Sequence, residues 1–145
     1  NLKSTFLCTK GVIEPMKRRG GGVIINASSF AAQIPSVGQS VYAAAKSGVK
    51  SFTRVSAAEL APYNIRTFAY IPGVIKTQFV APLIEDPQNA ERMKNDIAAY
   101  RFGEPSEVAS VVVFLASERA GYVSGTSIEV AGGKFCVQNP GKIYE

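Results

Sequence analysis

The run Val23-Ile24-Ile25-Asn26 constrains the fold most, because a strand so uniformly apolar asks for cover on both faces. Helical periodicity surrounds it. Leu2, Phe6, Thr9, Val12, Ile13 and Met16 recur at three- and four-residue steps and predict a helix over 2–19. Pro15 predicts a kink or a frayed end there, and Gly20-Gly21-Gly22 stops the helix. A second long helix is expected over about 41–60, a second strand over 65–71, closed by Pro72-Gly73. Pro105 opens a third helix with Val108, Val111, Val112, Phe114 and Leu115 on its apolar side, and a third strand follows over 127–130. Strict helix–strand alternation implies an α/β fold with a parallel sheet and right-handed crossovers. Three strands make a thin sheet, and 23–26 at an edge would be an aggregation hazard. The expectation is therefore a chain that lacks N-terminal strands of a larger domain. Residues 76–100, with Pro82, Pro87 and a polar helical stretch over 89–100, read as a mobile insert over a site, and 134–145 as a tail.

Composition removes several function classes. Among 145 residues there is no histidine, which excludes a serine–histidine triad and disfavours zinc, so no metal is expected. Cys8 and Cys136 are far apart and form no CxxC pair. The net charge of +5 is scattered, and its one cluster, Lys17-Arg18-Arg19, suits a helix C-terminus; no nucleic-acid partner is expected. No apolar run approaches the roughly 18 residues of a membrane span. The start, Asn1-Leu2-Lys3-Ser4, does not read as a signal peptide, and a cytoplasmic setting is the expectation. The triple glycine is not a phosphate loop: it follows a helix and precedes a strand, the reverse of the required order.

Proton chemistry must then come from Tyr, Lys, Asp, Glu or Cys. Tyr42 and Lys46 stand four apart on a predicted helix and share a face. A phenol titrates at about 10, and a neighbouring ammonium favours its charged form. Alone, such a pair is more often an exposed polar surface. Ser29 lies thirteen residues before Tyr42, just past a strand end, where ligands of parallel sheets sit. Its bland alternative is a loop cap, and for Ser28 the cap is the preferred reading. The small residues of the second helix, including Ser47, Gly48, Ser51 and Ser56, would let another helix approach, as at a subunit interface.

The stretch Gly22-Val-Ile-Ile-Asn-Ala-Ser-Ser29 followed by Tyr42-Ala-Ala-Ala-Lys46 resembles the classical short-chain dehydrogenase/reductase family. The resemblance continues through Glu59-Leu-Ala-Pro-Tyr-Asn-Ile-Arg66, Pro72-Gly73-Val-Ile-Lys-Thr77, Arg101-Phe-Gly-Glu-Pro105, Phe114-Leu-Ala-Ser117, Val123-Ser-Gly125 and Gly132-Gly133. YxxxK alone is weak; the ordered set is specific. It implies a Rossmann-like doubly wound parallel sheet, here the C-terminal catalytic portion over 1–145 with about three strands and flanking helices. It also implies an NAD- or NADP-dependent oxidoreductase that interconverts a carbonyl and an alcohol, and a homodimer or homotetramer. Tyr42 would be the general acid/base. Lys46 would favour its phenolate and hold the nicotinamide ribose. Ser29 would polarise the substrate oxygen, and Asn1 would support a proton relay behind the lysine. Pro72, Gly73, Ile75 and Thr77 would hold the carboxamide end of the cofactor. The family's phosphate loop is not in this sequence, Phe68 stands where Asn is usual, and Ala131 where Asp is usual; Phe68 is expected to repack the Pro-Gly loop. Phe79, Val80 and Leu83 of the insert are expected to face an apolar substrate. The alternative is an inactive dinucleotide sensor or scaffold with the same fold.

Overall fold

In the computed structural model, which describes residues 1–144, the chain divides into two compact units. Glu145, the end of the expected tail, lies outside the described residues. The first unit comprises 1–71 and 112–128; the second comprises 72–111 and the chain from 129 onward. In chain order the elements are α1 (Leu2–Arg18), β1 (Gly22–Ala27), α2 (Ser40–Leu60), β2 (Ile65–Pro72), α3 (Ala81–Ile84), α4 (Pro87–Lys94), α5 (Pro105–Ala116) and β3 (Ser127–Val130). Short 3-10 turns cover Phe30–Ala32, Ala61–Tyr63, Glu118–Ala120 and Pro140–Tyr144. The sheet order is β1-β2-β3. Among the described residues no helix is long and apolar enough to cross a membrane.

In the first unit β1 and β2 run parallel, from Gly22 opposite Ile65 to Ala27 opposite Tyr70. Ala69 N–H donates to Thr126 O, and Gly125 N–H to Thr67 O, which brings in the approach to β3. The central strand is covered on both faces: Ile65, Thr67, Phe68, Ala69 and Ile71 are all buried. Phe68 is thus a core side chain of the covered strand. β1 lies at the end of the described sheet. It buries Ile24 and Asn26 and leaves Val23 and Ile25 half-buried, so only one face is fully covered.

α1 lays Ile13 and Met16 onto a core cluster of Ile24, Leu60 and Ile65. Pro15 lies in its last turns, yet the helix continues to Arg18 and closes when Arg19 N–H reaches Pro15 O and Met16 O. The glycine run forms the expected turn, with Gly21 N–H donating to Met16 O and Gly22 N–H to Asn64 O. α2 buries Ala43, Val49, Thr53, Ser56, Ala57 and Leu60. Its small face is partly used within the chain: a Cβ on Gly48 would stand 2.8 Å from Leu2 Cδ2 of α1. Of the apolar side expected for α5, Leu115 is buried and Phe114 is exposed. Arg66 donates to Leu115 O, Ser117 O and Ala120 O and so satisfies carbonyls at the end of that helix and in the 3-10 turn after it.

The second unit is better built than an insert with a loose tail. Asp86 caps α4 by accepting from Gln88 N–H and Asn89 N–H. Ala90, Ile97 and Phe102 form a core with Val74, Ile84 and Met93 against it. Helix ends at Lys94, where 89–100 was expected to be helical. Residues 95–98 instead receive the tail: Ile97 bridges Lys134, Phe135 N–H donates to Asp96 O, Gly141 N–H to Asn95 O, and Tyr144 Oη to Ala98 O.

The deepest polar link in the first unit runs from Asn26 Nδ2 to Thr53 Oγ1 at 2.9 Å, and from Thr53 Oγ1 to Val49 O at 2.8 Å, with Thr53 fully buried. Replacing Thr53 by Val keeps the shape and strands the Asn26 amide. Chemical denaturation of the intact protein should show a loss of about 1–3 kcal/mol.

Candidate active site

β1 ends by turning its last residues alternately to two sides. Asn26 and Ser28 fall on the buried side, Ala27 and Ser29 on the more open one. Ser28 N–H still donates to Tyr70 O at 2.9 Å, so the ladder carries the strand direction to this point. Ser28, 3% exposed, donates its hydroxyl to Lys46 O at 3.0 Å. Lys46 Nζ donates back to Ala27 O at 2.8 Å. These two bonds cross between β1's end and one turn of α2. Lys46 Nζ also lies 5.7 Å from the centroid of the Tyr42 ring, and Tyr42 is 38% exposed. Ser29 is half-buried and its Oγ accepts Ala31 N–H at 3.2 Å, capping the 3-10 turn that follows. The cap expected at Ser28 is therefore made by Ser29, and Ser28 is the tie between strand and helix.

Ser29, Tyr42 and Lys46 thus gather around the C-terminal end of β1 within the first unit. The 3-10 turn is fastened to the same helix by Ser47 Oγ to Ala32 O and by Lys50 Nζ to Gln33 Oε1. Asn1 sits at the head of α1, where its carbonyl accepts from Thr5 N–H and Ser4 Oγ and its side chain makes no cap bond. Its neighbour Leu2 packs on Gly48, two residues beyond Lys46.

The second unit holds Pro72, Gly73, Ile75 and Thr77. Gly73 N–H donates to Val130 O, and a Cβ at Gly73 would meet Ala131 Cα at 2.7 Å. The glycine is required by a neighbouring backbone, which is reason enough without a ligand. Gly103 N–H donates to Val74 O and Lys76 N–H to Gly103 O, a parallel bridge centred on Ile75. That pattern turns the Ile75 N–H and C=O away from Gly103. Thr77 O accepts Val80 N–H and Ala81 N–H and so begins α3. Phe79 is 86% exposed and Leu83 is also exposed, while Val80 is half-buried.

Four charged residues near this loop escaped sequence reasoning. Arg101 grips Glu107 with two bonds of 2.8 and 2.7 Å, and Glu107 Oε2 also accepts Glu104 N–H at 2.8 Å. Lys76 pairs with Glu104. A Glu three residues after a helix start is a legible capping signal, and Glu104-Pro105-Ser106-Glu107 contains it. The Arg101 hydrogen bonds, helped by the Glu104 N–H, pull the Glu107 pKa down to about 2.

The sequence pattern described as enoyl-(acyl carrier protein) reductase matches residues 1–134. Human dehydrogenase/reductase SDR family member 4 is 43% identical over 133 residues, covering 92% of this chain and 48% of the relative. The chain belongs to the short-chain dehydrogenase/reductase family. Two solved members show the same fold. A 7α-hydroxysteroid dehydrogenase, complexed with NADH and 7-oxo glycochenodeoxycholic acid, superimposes with a TM-score of 0.88 at 32% identity, over 92% of this chain and 52% of that one. A gluconate 5-dehydrogenase from Burkholderia cenocepacia J2315, in complex with NADP and tartrate, gives a TM-score of 0.89 at 29% identity, over 94% and 53%. This short-chain dehydrogenase/reductase chain spans about half the length of the curated relatives it matches.

The shifted Glu107 makes one acid-side prediction for the intact protein. A carboxyl whose folded pKa lies below its reference value of 4.5 stabilises fully above that value, and loses its contribution as pH falls towards about 2. Glu107→Gln should therefore flatten the stability-against-pH curve between those limits and leave it unchanged near neutrality in shape. Added salt should shrink the difference, since the pair is solvent-accessible. Denaturation midpoints across that pH range provide the check.

Proposed function

We propose that this chain supplies the catalytic portion of an NAD(P)-dependent oxidoreductase that interconverts a carbonyl and an alcohol. The observation behind the proposal is the Lys46 ammonium fastened to Ala27 O beside the Tyr42 ring, with Ser29 at the same strand end. A bound nicotinamide dinucleotide would supply or accept the hydride. Tyr42 Oη gives the proton to the oxygen in reduction and takes it back in oxidation. Lys46 favours the phenolate, and Ser29 Oγ donates to the substrate oxygen. Asn1 supports proton movement behind Lys46.

The residues present fit such a cofactor. An ammonium has three donors, and Lys46 gives one to Ala27 O, which leaves others for ribose hydroxyls. In the Pro72, Gly73, Ile75, Thr77 loop the bonds described engage Gly73 N–H, Val74 O, Lys76 N–H and Thr77 O. Among the described residues none engages the Ile75 peptide groups, which suit an amide such as a carboxamide. The choice between NAD and NADP belongs to an adenosine-binding part, and solved relatives hold either NADH or NADP. Phe79 and Leu83, exposed on the second unit, support an apolar small-molecule substrate, with residues 78–100 as a substrate lid. Exposed Phe6, Leu7 and Val12 on α1 and Val55 on α2 support assembly into a homodimer or homotetramer.

Consumption of NADH or NADPH with a panel of aldehydes and ketones tests the proposal in the intact protein. Tyr42→Phe should lower turnover by roughly 10²- to 10⁴-fold and leave cofactor binding in place. Unchanged turnover in that variant would contradict the role of Tyr42. Cofactor binding without turnover of any carbonyl in the parent protein would favour a sensor.

A further inference from the structure

The Ile75 peptide is oriented from behind, by Gly103. One flank of that glycine is Arg101-Phe102 and the other is Glu104, and Glu107 is tied to both flanks. Arg101 N–H groups reach both Glu107 oxygens, Glu107 Oε2 also takes Glu104 N–H, and Lys76 from the loop pairs with Glu104. Phe102 is anchored in the second unit's core. Gly103 then reads out that fixed position through its bonds of 2.9 Å to Val74 O and 2.8 Å from Lys76 N–H. A cavity of about 60 Å³ bordered by Val74, Ile75, Arg101, Gly103, Glu107 and Ala131 lies beside the bridge. The loop accordingly has free volume into which it can shift.

We infer that Arg101 and Glu107 are positioning residues for the cofactor loop: their two-pronged pair holds Gly103 so that the Ile75 N–H and C=O face a nicotinamide carboxamide. The inference rests on the reading of Pro72, Gly73, Ile75 and Thr77 as a cofactor loop. Such a pair is exposed, with relative side-chain exposures of 59% and 41%, and so contributes little to global stability. Its geometry matters more, because a supporting shell fixes the groups that meet a ligand. Arginine's planar fork is needed for this, and a lysine at the same position keeps the charge without the fork.

The test measures NADH and NADPH dissociation constants by fluorescence in the intact protein, with KM values for cofactor and carbonyl and kcat beside them. Glu107→Gln and Arg101→Lys should each weaken the preferred cofactor about tenfold, while kcat at saturating cofactor and the carbonyl KM change by less than about threefold. A merely structural role would lower the melting temperature without that split. Arg101→Lys is the milder change and keeps the test usable if Glu107→Gln folds poorly. Thr77→Ala separates the two levels of the argument. Weaker cofactor binding in Thr77→Ala with none in the two brace variants would overturn the brace alone. Unchanged binding in Thr77→Ala and in both brace variants would overturn the cofactor-loop reading and the brace with it.

Discussion

Two hydrogen bonds that cross between β1 and α2 set the conditions for everything else at the site. Ser28 holds the Lys46 carbonyl, and the Lys46 ammonium holds the Ala27 carbonyl. Together they fix one turn of α2 in height and rotation against the end of a parallel strand. Asn26 and Thr53 repeat the arrangement deeper in the first unit, two turns further along the helix. Tyr42 is carried on the same helix, one turn before Lys46, and inherits its place from these ties. A helix packed by apolar contacts alone could slide by a fraction of a turn at little cost. The Asn26–Thr53 bond is buried and the Ser28 bond part-buried, and both resist such sliding, since a buried polar group left unpaired is costly; the Lys46 bond to Ala27 O is exposed and adds direction more than cost.

The second unit applies the same economy to a loop. Gly73 is pressed against Ala131, Ile75 is bridged to Gly103, and Thr77 starts a helical turn, so three alternate positions of the loop are held by backbone contacts. Side chains are left free to differ, which accords with a fold shared by solved proteins named as a 7α-hydroxysteroid dehydrogenase and a gluconate 5-dehydrogenase. A side chain at Gly73 would clash with Ala131, whose Cα and Cβ would lie 2.7 and 2.9 Å from the added Cβ.

Much of this was legible in the sequence. Helix periodicity places Tyr42 and Lys46 on one face whatever the context, and the ordered motifs around them identified the family. The alternation of elements gave the sheet. Ser28 and Ser29 were read the wrong way round as to capping, because strand alternation assigns faces only once register is known. Asn26 closes an apolar run and bonds to the same helix, and that polar residue was the available clue to which side faces α2. The folding of 132–144 onto 95–99 was not legible: it uses mostly backbone bonds, such as Phe135 N–H to Asp96 O and Gly141 N–H to Asn95 O, which leave no hydrophobic period. α5 also misled in part: Phe114 reads as core-facing and is exposed, whereas Leu115 is buried and Val108, Val111 and Val112 are half-buried.

The central claim is that Tyr42 and Lys46 work as one proton-transferring unit. A double-mutant cycle on kcat/KM in the intact protein, with Tyr42→Phe, Lys46→Met and both changes together, tests it most directly. The account predicts strong non-additivity, with the double variant scarcely slower than Tyr42→Phe, because the lysine acts through the tyrosine. Losses that simply multiply would show that the two residues act independently, and would contradict it.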